Sequence, residues 1–213
     1  MQRTYNQIDN LVSQFDVAVR TLFGRPLQTG RKNPAKDIAE AELTSDEKKH
    51  VAGLMRINHA GEVCAQGLYQ GQALTARLTE VKDKMNQAAA EENDHLAWCE
   101  NRLSEVNSHT SYLNPFWYAG SFVIGSVAGF AGDKWSLGFV AETENQVVKH
   151  LNSHLDKLPA DDAKSRAILE QMKIDEGQHA TTALNAGGVK LPQPIKKAMS
   201  LSAKIMTTLA YKI

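Results

Sequence analysis

Glu91-Glu92-Asn93-Asp94-His95 and Glu176-Gly177-Gln178-His179 each place a glutamate three residues before a histidine. On an α-helix that spacing puts both side chains on one face, so Glu92 with His95, and Glu176 with His179, are two ready pairs of metal ligands. One such pair is commonplace. Two imply a shared site, which becomes dinuclear if two further helices each contribute a carboxylate.

The missing glutamates must sit on the apolar stripe of their own helices rather than on a charged face. Glu62 does, in the register Val51, Leu54, Met55, Asn58, Glu62, Ala65, Tyr69, and Glu144 does, in the register Leu137, Val140, Glu144, Val147, Val148, Leu151. The two Glu-x-x-His pairs follow the same rule, with Met85, Ala88, Glu92, His95, Cys99 on one stripe and Leu169, Met172, Glu176, His179, Ala183 on the other. A carboxylate on a core stripe is costly unless it is neutralised, paired or bound to a cation, so four acid-bearing stripes call for a common charge partner. Glu62 to Glu92 is 30 residues and Glu144 to Glu176 is 32, as if one helical hairpin had been duplicated. The pattern predicts an all-α, ferritin-like four-helix bundle with pseudo-twofold symmetry. Glu91, Asp94, Glu142 and Asp175 adjoin these positions but fall off the stripes, and read as surface residues or as partners of the ligands.

Four glutamates and two histidines suit iron or manganese better than zinc, which takes fewer ligands and more sulfur or nitrogen. Two ferrous ions per chain are the expected cofactor, and dioxygen-dependent oxidation the expected reaction class. An iron-storage or ferroxidase protein of the same fold is the main alternative; it would need a polar, cage-forming exterior. A manganese catalase or a carrier-protein desaturase could share the ligand set. A purely structural bundle would leave the buried acids unexplained.

The elements that must position these residues are legible in turn. Thr44-Ser45-Asp46-Glu47 has the form of a capping box and opens a helix to about Leu78. Helices follow over about Glu80 to Val106, Asp133 to Leu158 (stopped by Pro159) and Asp161 to Asn185 (stopped by Gly187-Gly188). Asn107 to Gly132 lacks Asp, Glu, Lys and Arg and supplies the long connection between the second and third bundle helices. A membrane span needs about 20 predominantly apolar residues, whereas Phe116 to Gly132 offers 17, including four glycines and two serines. Residues 4 to 23 form an amphipathic arm carrying Tyr5, Ile8, Leu11, Val12, Phe15, Val19, Leu22 and Phe23. Arg25 to Leu43 reads as a linker, so the division is 1–43 for arm and linker and 44–213 for the bundle. The tail from Pro192 is a basic amphipathic helix, a further candidate for a membrane-facing surface.

Composition sets the remaining bounds. The 213 residues are 42% hydrophobic, enough for one sizeable core. Lys+Arg and Asp+Glu are both 24, so no net field recruits nucleic acid. Cys64 and Cys99 fall within helices and no apolar signal segment opens the sequence, which favours free thiols in a reducing compartment.

Arg56-Ile57-Asn58-His59-Ala60-Gly61-Glu62, Glu92-Asn93-Asp94-His95, Glu144 with His150, and Asp175-Glu176-Gly177-Gln178-His179 resemble the demethoxyubiquinone hydroxylases of ubiquinone biosynthesis. The likeness runs from about Thr44 to the C-terminus, and the His-Ala-Gly-Glu entry with the apolar crossover is its most specific part. It implies a di-iron monooxygenase that hydroxylates the ring of a demethoxyubiquinol, with Glu62, Glu92, His95, Glu144, Glu176 and His179 as ligands and His150 near the metals. It also implies peripheral association with the cytoplasmic face of a bacterial membrane. A homo-oligomer or a complex with other ubiquinone-biosynthesis proteins stays open. Two acids within Met1 to Phe23 argue against a transit peptide.

Overall fold

The computed structural model describes residues 7–24 and 27–213, apart from the side chains of residues 7, 8, 10 and 11. Tyr5 and the side chains of Ile8 and Leu11 lie outside the described residues. Seven helices are present there: α1 Gln7–Phe23, α2 Ser45–Thr75, α3 Thr79–Glu105, α4 Asn114–Phe130, α5 Asp133–Leu155, α6 Ala163–Asn185 and α7 Gln193–Ala210. Helices α2 and α3 form one antiparallel hairpin, α5 and α6 a second, and the two pack together as a four-helix bundle.

Local chemistry sets the helix ends. The Thr44 hydroxyl accepts from Glu47 N at 3.3 Å while the Glu47 carboxylate accepts from Thr44 N at 2.8 Å, the capping box expected from the sequence. Helix α2 stops at Thr75, three residues short of the expected Leu78, because Asp133 accepts the Arg77 and Leu78 amides at 3.0 and 2.9 Å and holds that turn extended. Helix α5 likewise stops at Leu155, short of Leu158, and Asp162 caps α6 through Ser165 N at 3.0 Å. Gly187, at φ +102°, takes the left-handed conformation that closes α6.

The apolar crossover forms α4, which lies along α2 in unusually close contact. A Cβ at Gly71 would sit 2.2 Å from the Phe122 carbonyl oxygen, and one at Gly125 equally close to that of Leu68. Small residues on both helices therefore let the backbones approach. None of the described helices is long and apolar enough to cross a membrane.

One apolar cluster, around Val51, Leu54, Met55, Trp98, Leu103, Leu151 and Leu169, fills one end of the bundle, and a second, around Tyr69, Met85, Leu137 and Val140, fills the other. The site described below lies between them. Ala35 and Leu43 join the first cluster, and Arg102 donates to Glu40 at 2.6 and 3.0 Å. The segment read as a linker thus touches the bundle through Ala35, Glu40 and Leu43. Both cysteines are free thiols, Cys99 fully buried and Cys64 partly so.

Candidate metal centre

Glu62 on α2, Glu92 and His95 on α3 and Glu176 on α6 are buried, and their ligand atoms lie within 4.8 Å of one another. His95 Nδ1 stands 2.7 Å from Glu92, 3.2 Å from Glu176 and 3.8 Å from Glu62. His179 Nδ1 completes the other side, 3.0 Å from Glu92 and 3.4 Å from Glu176. Glu144 on α5 is hydrogen-bonded to Glu176 and accepts from the Tyr69 hydroxyl. All six residues singled out by register therefore converge, from four different helices. Glu92 and Glu176 face both imidazoles, while Glu62 lies on the His95 side.

The donor set fits metal ions. Both Glu92 oxygens and His95 Nδ1 are buried without a well-formed hydrogen bond, although the two groups nearly touch. Unpaired acceptors at the centre of a core are rare, and a cation between them would satisfy them. Burial, with the neighbouring Glu92 charge, raises the Glu62 carboxyl well above its ordinary value, and burial with Glu176 and Glu92 does the same to Glu144. Burial opposes the charge on His95, but Glu92, Asp175, Glu176 and Glu62 outweigh it and raise the imidazole well above its ordinary value. His179 behaves alike, pushed up to about 12 by Glu176 and Glu92 against its burial. The four groups are all displaced toward their protonated forms, the signature of a site whose buried negative charge calls for cations.

The outer nitrogens of the two imidazoles are held in a repeated way. His95 Nε2 lies 2.9 Å from Asp175, the residue before Glu176, and His179 Nε2 lies 2.6 Å from Glu91, the residue before Glu92. Each Glu-x-x-His pair thus brings its own preceding acid to the histidine of the other. That arrangement fixes both rings with Nδ1 inward. Asp94 is buried as well, so neither Asp94 nor Asp175 is a surface residue; both belong to the surroundings of His95. Glu142, by contrast, pairs with Lys196 of α7 and stays out of the cluster. Arg31, from the segment before the bundle, reaches in over Trp98 and bonds Asp94 and Asp175. No sequence motif marks Arg31. Tyr69 was legible as a core residue, and its bond to Glu144 adds a role.

A sequence profile described as ubiquinone biosynthesis protein COQ7 matches residues 49–210. The chain belongs to the COQ7 family. Among its curated relatives, a 3-demethoxyubiquinol 3-hydroxylase of Nitrosococcus oceani is 61% identical over 99% of each chain. Proteins of the same name from Pseudomonas fluorescens and Polynucleobacter necessarius are 59% and 58% identical, over 100% and 97% of this chain and 99% of each relative. The COQ7 match begins just before Val51 and takes in all six convergent residues, whereas Arg31 precedes it.

His150, for which family resemblance implied a place near the metals, stacks on His154 with ring centroids 5.2 Å apart. Among the described residues, no hydrogen bond, ion pair or ring contact joins it to the six. Its Nε2 is buried without a hydrogen-bond partner. His154 in turn stands 2.8 Å from Asn58, which lies one helical turn before Glu62 on the same stripe of α2.

Proposed function

We propose that this protein is a di-iron monooxygenase that hydroxylates the ring of a demethoxyubiquinol in ubiquinone biosynthesis. The reading rests above all on one observation: four glutamates and two histidines converge in a buried site, in a chain 61% identical to a protein named 3-demethoxyubiquinol 3-hydroxylase. Glu62, Glu92, His95, Glu144, Glu176 and His179 would hold two ferrous ions. Bound there, iron would supply the activation of dioxygen; one oxygen atom enters the ring and the other leaves as water, with two electrons and two protons taken from an external reductant.

The chain's own residues account for the rest. Asp175 and Glu91 keep the two imidazoles oriented with Nδ1 inward. Tyr69 holds Glu144 from behind, so that this carboxylate does not swing freely. The Leu169, Met172 and Leu137 side chains around the site are buried and exclude water.

We read the apolar exterior as the route by which a long-tailed quinol arrives. Helices α1, α4 and α7 all pack on α2, and each leaves large apolar side chains exposed: Phe15 by 70%, Phe116 by 73%, Val127 by 64% and Leu201 by 62%. Such a surface suits peripheral seating on the cytoplasmic face of the bacterial membrane, where the substrate is concentrated. It does not suit the polar exterior of an iron-storage cage. The direct test is anaerobic loading with iron(II), followed by demethoxyubiquinol, dioxygen and a reductant. Hydroxylated quinol in place of mineralised iron supports the reading, and iron oxidation without hydroxylation would contradict it.

A further inference from the structure

His95 and His179 occupy matching places in the repeat, yet their surroundings differ. Asp175, the partner of His95, is 7% exposed, and Arg31 Nη2 donates to it at 2.8 Å. Arg31 Nε also donates to Asp94 at 3.0 Å, and its guanidinium lies 5.0 Å above the Trp98 ring, which itself leans on His95. The chain leading to Arg31 is sewn to α3: Asn93 Nδ2 donates to the Leu27 carbonyl at 3.0 Å, Thr29 N donates to Asp94 at 2.8 Å, and the Thr29 hydroxyl donates to the same carboxylate. Glu91, the partner of His179, is 31% exposed. Its remaining hydrogen bond among the described residues comes from Gln87, one turn back on its own helix. Among the described residues, only one half of the repeat is pinned from outside.

We propose that Leu27–Arg31 is a strap that makes the two metal positions unequal. Arg31 is a positioning residue: it ties α3 to α6 through Asp94 and Asp175, and Asp175 in turn fixes the His95 ring. The metal on the His95 side is therefore the slowly exchanging one, and the metal on the half-open His179 side the quickly exchanging one. The inference rests on the two-metal reading of the six residues. Its physical basis is that a guanidinium fork holds carboxylates in a defined geometry, whereas a glutamate open to water gives up its histidine to solvent more readily.

The experiment follows metal release. Wild type, Arg31→Gln and Arg31→Lys are loaded anaerobically with iron(II) and mixed with an excess of a chromogenic iron(II) chelator, and thermal unfolding of each metal-free form is recorded alongside. Wild type should release iron in two phases of equal amplitude. Arg31→Gln should speed the slow phase about 10-fold and leave the fast phase unchanged, since groups that orient a metal-bound histidine typically contribute that much. Arg31→Lys, which keeps the charge without the fork, should fall between. A single phase in wild type, an unaltered slow phase in Arg31→Gln, or equal acceleration of both phases would overturn the proposal. Wild type that holds no iron would instead overturn the two-metal reading, and this inference with it.

Discussion

Asp175 Oδ2 lies 2.9 Å from His95 Nε2, across the gap between α6 and α3. The bond turns His95 Nδ1 toward Glu92, Glu176 and Glu62, and it helps raise the ring above its ordinary value. Burial lifts Asp175 itself, but His95, Arg31 and Gln171 outweigh that and bring it down to about 2.

The protonation pattern predicts opposite pH dependence with and without metal. His95, His179, Glu62 and Glu144 all have raised values in the fold. A group raised on folding contributes its full stability below its unfolded value and loses it as pH rises toward the folded one. The two glutamates thus begin to lose theirs above about 4.5, and the two histidines above about 6.5. The metal-free melting temperature should fall between about pH 7 and pH 9, each 1 kcal/mol lost lowering it by about 2–4 °C; below about 6.5 the buried His59, His150 and His154, whose values burial lowers, offset that trend. Iron loading should release protons and flatten or reverse the slope. A metal-free melting temperature that rises across this range would contradict the assignment.

The exposed apolar face predicts a separation of binding from chemistry. Phe122 and Ile124 stand out in the sequence, but Phe122 is half-buried against α2, so Val123 and Val127 are the cleaner positions. An apolar side chain buried in lipid contributes about 1.5–3 kcal/mol. Val123→Asp with Val127→Asp should release the protein from anionic vesicles and lower turnover on a long-tailed quinol while sparing a tailless analogue. Retention on vesicles, with folding intact, would show that this face does something else.

The bundle and the six convergent residues were legible because both obey helical periodicity: a residue three or four places along a stripe must point the same way, whatever the tertiary fold. The acids preceding Glu92 and Glu176 fall off the stripes, and stripe logic, which treats each helix alone, leaves them open as surface residues or as partners of the ligands. Asp175 and Glu91 find their partners on the opposite helix. Arg31 was not legible, since it reaches the site from a segment without periodicity, and only the path of the chain over α3 brings it there. The ends of α2 and α5 moved because Asp133 and the turn before Asp162 compete locally for backbone groups that a longer helix would have used.

His150 offers a further prediction. Its ring stacks on His154, which bonds Asn58 one turn from Glu62, and burial lowers both histidines, His154 to about 3. Burial thus disfavours charge on both rings, and we propose that the stacked pair orients Asn58 on the α2 stripe that carries Glu62. His150→Ala should reduce turnover about 10-fold, as expected for loss of a group that orients residues beside the site, with iron content unchanged. Equal turnover would place His150 among ordinary packing residues.

The central claim is that these four glutamates and two histidines form one dinuclear centre. The measurement that bears on it most directly is the iron content of anaerobically loaded protein, for wild type and for Glu62→Ala, Glu92→Ala, His95→Ala, Glu144→Ala, Glu176→Ala and His179→Ala, each checked for helical content. Wild type should approach two irons per chain, and each substitution should lower that figure, most of all Glu92→Ala and Glu176→Ala, whose carboxylates face both histidines. Full iron retention in all six variants, or a wild type that binds none, would contradict it.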